Sequence, residues 1–396
     1  MGLLAAALGS AQPRKVTDAE VAKVHRSAIL IDTHNDVPMR TYAGFDIGPR
    51  SAIGHTDLAR LRAGGVGAVF FAAYVSAAEV KTNHAATRGF EAIDTIRRDI
   101  VERYPNDFVL ATTADEIVAA HRQGKIAALI GVEGGHAIED SLRILRDFYR
   151  LGARYMTLTH VNTNHWADSS GDLKRTGVAH HNGLTDFGKD VVREMNRLGM
   201  MVDVSHVSDK TFWDVLEVSR APVIASHSSC RALANLPRNM TDEMIVALAK
   251  RGGVIQINIG CPFLTSQAAA VTVRLTPEFE RREREARQRY KTNAAALDAE
   301  LERIEASIMA QVPRATVQDV VAHIDHVVKI AGIDAVGIGT DFDGIGCTPQ
   351  GLEDVSKFPN LTRALLENGY TAPQIRKIYG ENTLRLMNSK RDIHDK

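Results

Sequence analysis

Ala28-Ile29-Leu30-Ile31-Asp32-Thr33-His34-Asn35-Asp36 is the stretch on which the fold turns. An apolar, β-branched run leads directly into a His-x-Asp pair. Side chains alternate along a strand, so positions 34 and 36 point the same way. An imidazole and a carboxylate presented together suit a borderline cation such as zinc. The pattern predicts a buried strand ending in one half of a metal site.

The rest of the chain repeats the first part of that pattern. Short apolar runs lie at Ala28–Ile31, Ala68–Ala72, Ala127–Val132, Tyr155–Leu158, Met201–Val204, Val223–Ala225, Val254–Ile257 and Val336–Ile338. Continuous Val/Ile/Ala character marks strands buried on both faces, as in a parallel sheet. Helical patterns such as Leu142–Leu151 and Val191–Leu198 separate them. Gly65, Gly152, Gly199, Gly252 and Gly332 stand where helix C-caps are needed. Eight β-then-α units predict an α/β protein of the (β/α)8 TIM-barrel class, with a doubly wound open sheet as the alternative. Residues 266–312 break the rhythm between the seventh and eighth strands. They are rich in Ala, Glu, Arg and Leu, which predicts a helical excursion with i,i+4 ion pairs. It reads either as a solvated surface feature or as a lid edge or subunit contact.

The chain of 396 residues is 44% hydrophobic, with 48 Lys+Arg against 48 Asp+Glu. Zero net charge gives no long-range attraction to nucleic acid or anionic membrane. No apolar stretch approaches the roughly 20 residues that span a bilayer. Cys230, Cys261 and Cys347 are too few for a disulfide framework, and which two would pair is not legible. Residues 1–15 read as the remnant of an export signal, with the small-x-small site Gly9-Ser10-Ala11, or as a disordered end. Residues 16–396 read as one metallohydrolase domain. A periplasmic or secreted location is expected, with the cytoplasm as the alternative.

Active sites of such barrels lie at the C-terminal ends of the strands. His34 and Asp36 follow the first run, Glu133 the third, His160 the fourth, His206 the fifth, His227 the sixth and Asp341 the eighth. Each alone has an ordinary structural explanation, as a cap, a turn or a hydrogen-bonded histidine. Together on one rim they need one another or a cation, because uncompensated buried polar groups are costly. Three histidines and two carboxylates exceed the needs of one catalytic zinc. The set predicts two cations about 3.5–4 Å apart, bridged by Glu133 and a water or hydroxide. His34 and Asp36 would complete one ion, His206 and His227 the other. Asp341 is left to move a proton.

These motifs, in this order, resemble the membrane (renal) dipeptidase family of the amidohydrolase superfamily. The resemblance runs from about Ile31 to about Arg385 and thins in the excursion. It rests on Asp32-Thr33-His34-Asn35-Asp36, Gly131-Val132-Glu133-Gly134, Tyr155-Met156-Thr157-Leu158-Thr159-His160, Asp203-Val204-Ser205-His206, Ser226-His227-Ser228-Ser229, Arg238-Asn239 and Gly339-Thr340-Asp341-Phe342-Asp343-Gly344. It implies a zinc-dependent dipeptidase on a distorted barrel, with two Zn2+ per subunit on the ligands just assigned. It further implies that Asp341 is the acid/base, that His160 contacts the scissile carbonyl or its oxyanion, and that Arg238 holds the substrate's terminal carboxylate. Asp343 is expected to support Asp341, and His136 and His165 to be structural.

Mammalian members are glycolipid-anchored and disulfide-linked. This sequence has no anchoring tail and no cysteine beside His160, so neither property is expected. Family habit suggests a homodimer. The loop Val161-Asn162-Thr163-Asn164-His165 departs from the commoner Cys-Asn-Thr-Pro pattern, which leaves side-chain preference open. The rival activity is that of another amidohydrolase, acting on N-acyl amino acids, lactones or dipeptide-like compounds.

Overall fold

A computed structural model of the chain describes residues 15–291 and 294–389. The export-type run at 1–11 and the polar stretch 390–396 lie outside the described residues. The apolar runs become strands of one parallel sheet. These are β1 (Leu30–Asn35), β2 (Val66–Tyr74), β3 (Phe108–Leu110), β4 (Ile126–Glu133), β5 (Ala153–Thr157), β6 (Met201–Asp203), β7 (Ile224–Ser228), β8 (Val254–Ile257) and β9 (Val336–Ile338). Their order is β2-β1-β9-β8-β7-β6-β5-β4, with β3 added beside β4. β2 pairs again with β4, in register from Ala68 opposite Ala127 to Tyr74 opposite Glu133. That pairing closes an eight-stranded barrel, as expected, and excludes the open sheet.

Two details differ from the sequence reading. β3 is an additional short strand. It pairs with the foot of β4, Phe108 opposite Ile126, while β5 takes the upper part, Gly131 opposite Tyr155. β1 starts at Leu30 and runs to Asn35, so His34 lies inside the strand and not after it. His227 likewise lies within β7.

Alternation sorts the strand residues into two layers. Leu30, Val69, Phe71, Ala128 and Ile130 belong to the large cluster that packs against the surrounding helices. Ile31, Ala68, Phe70, Ala127, Leu129, Tyr155 and Ile224 form a second cluster inside the barrel, which Leu386 and Met387 of the C-terminal helix join. Burying a side chain such as Phe70 contributes about 1.5–3 kcal/mol. Helix ends follow local chemistry. Thr185 caps the helix Asp186–Leu198 by accepting from the Gly188 amide, and Gly199 ends it at φ +76°, a conformation in which a Cβ would be strained.

The excursion is two helices, Ser266–Arg289 and Ala294–Met309. Leu275, Ala286, Ile304 and Ile308 give the pair a small core of its own. The expected i,i+4 ion pairs form, with Arg281 2.8 Å from Glu285 and Arg287 2.7 Å from Glu283. A disulfide joins Cys261 to Cys347 across 86 positions, which bracket the excursion, and Cys230 is free and buried.

Candidate metal centre

The barrel brings the widely spaced strand-end residues to one place. Glu133, the last residue of β4, is 3% exposed and lies at the middle. Its Oε1 is 3.2 Å from His206 Nε2, 3.3 Å from His227 Nε2 and 3.9 Å from His160 Nε2. Its Oε2 is 3.5 Å from His34 Nε2, which in turn lies 3.4 Å from Asp36 Oδ2. His34, Asp36 and Asp341 each offer one ligand atom within 4.8 Å of the others. The loops that carry them are stitched together: the Asp341 amide donates to the His34 carbonyl at 3.0 Å, and the Asp36 amide to the Phe342 carbonyl at 2.8 Å.

The backbone is forced at two of these positions. His206 has φ +67° and Asp341 has φ +65°. Residues with a Cβ rarely adopt that region, and such outliers gather at functional sites. Gly344 shows how closely the loops approach: a Cβ there would stand 2.3 Å from Asp36 Oδ2 and 2.6 Å from Asp341 Oδ1.

Hydrogen bonds behind the centre set the histidine tautomers. Ser226 Oγ donates to Asp203 Oδ2 at 2.6 Å, so it must accept from His227 Nδ1 at 2.7 Å. Tyr155 Oη donates to the Thr33 carbonyl at 3.1 Å, so it accepts from His34 Nδ1 at 2.8 Å. Both rings then carry their proton on Nδ1 and present an Nε2 lone pair. His34 Nε2 is buried without a hydrogen-bond partner, and His227 Nε2 faces His206 Nε2 at 2.9 Å. Lone pairs converging on one another and on carboxylates are a donor set for cations, and the residues fit a zinc-type centre.

Electrostatics agree. Burial and repulsion push the His206 and His227 pKa values well below the ordinary histidine range, keeping both neutral. Burial also disfavours charge on His34, yet Tyr155, Glu133 and Asp36 outweigh it and raise its pKa well above the ordinary value. The same two carboxylates, 3.4 and 3.5 Å from Nε2, would draw a cation to that nitrogen in place of a proton. Burial, then the charge of Asp36, raises Asp341 to about 8.

Every expected residue except Arg238 borders this cluster directly. Arg238 stands behind it, donating to the His227 carbonyl at 2.7 Å and to Ser228 Oγ at 2.9 Å. At least three of its five N–H donors remain. His160 packs its ring 4.5 Å from that of His206 and 4.9 Å, edge-on, from Tyr74. His136 lies with its Nε2 2.9 Å from the Val75 carbonyl, and exposed His165 pairs with Asp140. Asp343 is engaged with other groups. Its Oδ1 accepts from Arg40 and from the His55 amide, and its backbone is left-handed at φ +65°.

Two strand ends that the sequence reading left empty are occupied. Tyr74 ends β2 and lines the cavity. Asn258 follows β8 and donates from Nδ2 to Asp341 Oδ2 at 2.8 Å. Neither residue type is a usual zinc ligand, so a search for ligands passes over both. Their position directly after an apolar run was the available signal.

Residues 18–396 match the family described as membrane dipeptidase (peptidase family M19). The chain is 37% identical over 376 residues to the dipeptidase tcpJ of Claviceps purpurea, covering 91% of this chain and 77% of that protein. It is 35% identical over 396 residues to an uncharacterised dipeptidase of Schizosaccharomyces pombe, covering 95% and 83%. A metallopeptidase of Rhodobacter sphaeroides, solved with a phosphinate mimic of the dipeptide L-Ala-D-Ala, superimposes with a TM-score of 0.73. It is 26% identical, with 92% of this chain and 99% of that one covered.

Proposed function

The chain belongs to the membrane dipeptidase family, and on that premise we propose that it is a zinc-dependent hydrolase of free dipeptides. One observation carries the reading: four histidine nitrogens from four different parts of the chain lie within 3.9 Å of the Glu133 carboxylate. His34, Asp36 and Glu133 would hold one ion, and Glu133, His206 and His227 the second. When bound, the pair supplies Lewis acidity and a water that loses its proton near neutrality.

The remaining steps belong to the side chains. His160 stands on the open side of Glu133, where it would hydrogen-bond the carbonyl oxygen as charge develops there. Asp341 takes a proton from the attacking water. It returns it to the amine nitrogen as the C–N bond breaks, giving two free amino acids. Arg238 offers a planar fork to the terminal carboxylate. The dipeptide mimic held by the Rhodobacter sphaeroides relative supports a substrate of that size. The Cys261–Cys347 bridge supports a periplasmic or secreted location, since disulfides persist in oxidising compartments.

The test is metal quantification on the purified protein, together with assays on dipeptides including D-isomers, N-acyl amino acids and lactones. Dipeptide turnover that stops on chelation and returns with zinc is expected. Turnover indifferent to metal removal, or confined to N-acyl amino acids or lactones, would overturn it.

A further inference from the structure

The candidate metal ligands Asp36, Glu133 and His206 line a cavity of about 510 Å3, within the range of about 300–1,000 Å3 that small-molecule sites occupy. The floor is polar: Asp36, Glu133, His160, His206 and Asp341. The upper surface has a different chemistry. Barrel loops contribute Leu236, Phe263 and Ile345, and the two excursion helices contribute Phe279, Ile308 and Met309 together with the smaller polar Thr272 and Thr276 and the carboxylate of Glu305. Phe263, Phe279, Met309 and Ile345 are only half-buried. The helix pair is also fixed in place. Ser266 Oγ donates to the Leu233 carbonyl at 2.7 Å, and the disulfide joins the segment before the excursion to the loop after β9.

We propose that the excursion is the roof of the substrate site, and that it selects dipeptides bearing one large apolar side chain, of leucine, methionine or phenylalanine size. This deepens the dipeptidase reading and rests on it. A small dipeptide such as Ala-Ala would leave the apolar ceiling facing water. A larger side chain completes its burial, and the gain scales with the apolar area removed from water. Each methylene accommodated or missing in such a pocket changes kcat/KM by about tenfold or more. Among the described residues Glu305 is the one charged side chain that the two helices bring to the cavity.

The test compares kcat/KM for Leu-, Met- and Phe-containing dipeptides with that for Ala-Ala and for Asp-containing dipeptides, on metal-replete protein. The expected result is a preference for the bulky apolar set of about tenfold or more. In Phe279→Ala and Met309→Ser that ratio falls towards one, through KM more than kcat, and Met309→Leu restores it. Circular dichroism and metal content establish that each variant is folded and loaded. Hydrolysis of Ala-Ala equal to that of the bulky set, or an unchanged ratio in both folded variants, would overturn the roof while leaving the dipeptidase reading standing. Absence of hydrolysis of every dipeptide by the zinc-loaded protein would overturn both.

Discussion

Asn258 Nδ2 donates to Asp341 Oδ2 at 2.8 Å, and the Gly260 amide, donating to Asn258 Oδ1 at 2.8 Å, fixes which way the amide faces. One oxygen of Asp341 is thereby committed as an acceptor. Any proton that Asp341 carries must sit on Oδ1, the oxygen beside Asp36. On the proposed mechanism Asn258 would act through Asp341 as a positioning residue. Hydrogen bonds to charged groups are worth about 1.5–3 kcal/mol, or about 10–100-fold in rate. Asn258→Ala should lower kcat by that factor with KM and metal content nearly unchanged. Steady-state kinetics alongside metal analysis checks this, and an unaltered kcat would remove Asn258 from the reaction.

Asp341→Asn keeps the shape of the side chain and removes its ability to shuttle a proton. The five assigned ligands are untouched, so the variant should retain its metal while turnover falls by about 10²–10⁴-fold. Metal analysis and kinetics on one preparation decide the matter. Full activity would assign the proton transfer to another group.

Ser226 and Tyr155 hold the Nδ1 protons of His227 and His34. Ser226→Ala and Tyr155→Phe should each weaken metal binding by about 10–100-fold, the usual effect of losing an orienting partner. Competition with a chromophoric chelator measures this. Affinity equal to the parent's would show that packing alone orients the rings.

How much of this was legible beforehand depends on the kind of residue. Eight strands announced themselves as apolar runs because a barrel buries both faces of each strand. β3 did not, because three residues paired to the foot of one neighbour leave no period to detect. The cluster of candidate ligands could be read because histidine and acid at a strand end are unusual. Tyr155 and Ser226 could not. Tyr155 lies inside an apolar run and looks like core, and only the fold shows its hydroxyl reaching β1. The Cys261–Cys347 pairing depends on the segments that follow the neighbouring strands β8 and β9 meeting on the rim, which no spacing reveals.

His323 is fully buried and neutral, with Nδ1 accepting from the Cys230 amide at 3.0 Å and Nε2 facing the Leu264 carbonyl at 2.9 Å. Burial lowers its pKa to about 4. The unfolded chain binds the proton more tightly, so this group's contribution is complete above about pH 6.5 and is lost as the pH falls towards 4. In His323→Gln that dependence disappears. The stability gap between parent and variant, from urea titrations, should narrow by about 2–3 kcal/mol between pH 7 and pH 4. A gap constant with pH would contradict the assignment.

The disulfide closes a loop of 86 residues. Replacing Cys261 and Cys347 together by alanine should cost about 2–4 kcal/mol of stability. Unfolding midpoints of the parent under oxidising and reducing conditions give an independent value. Equal midpoints for all three would show that the bridge adds nothing measurable.

The helix pair has an apolar nucleus of its own and enters and leaves the barrel between neighbouring strands, β8 and β9. A segment built that way is an exchangeable cartridge. Swapping it for a shorter or more polar one would retune which molecules are accepted, while the catalytic hardware beneath stays as it is.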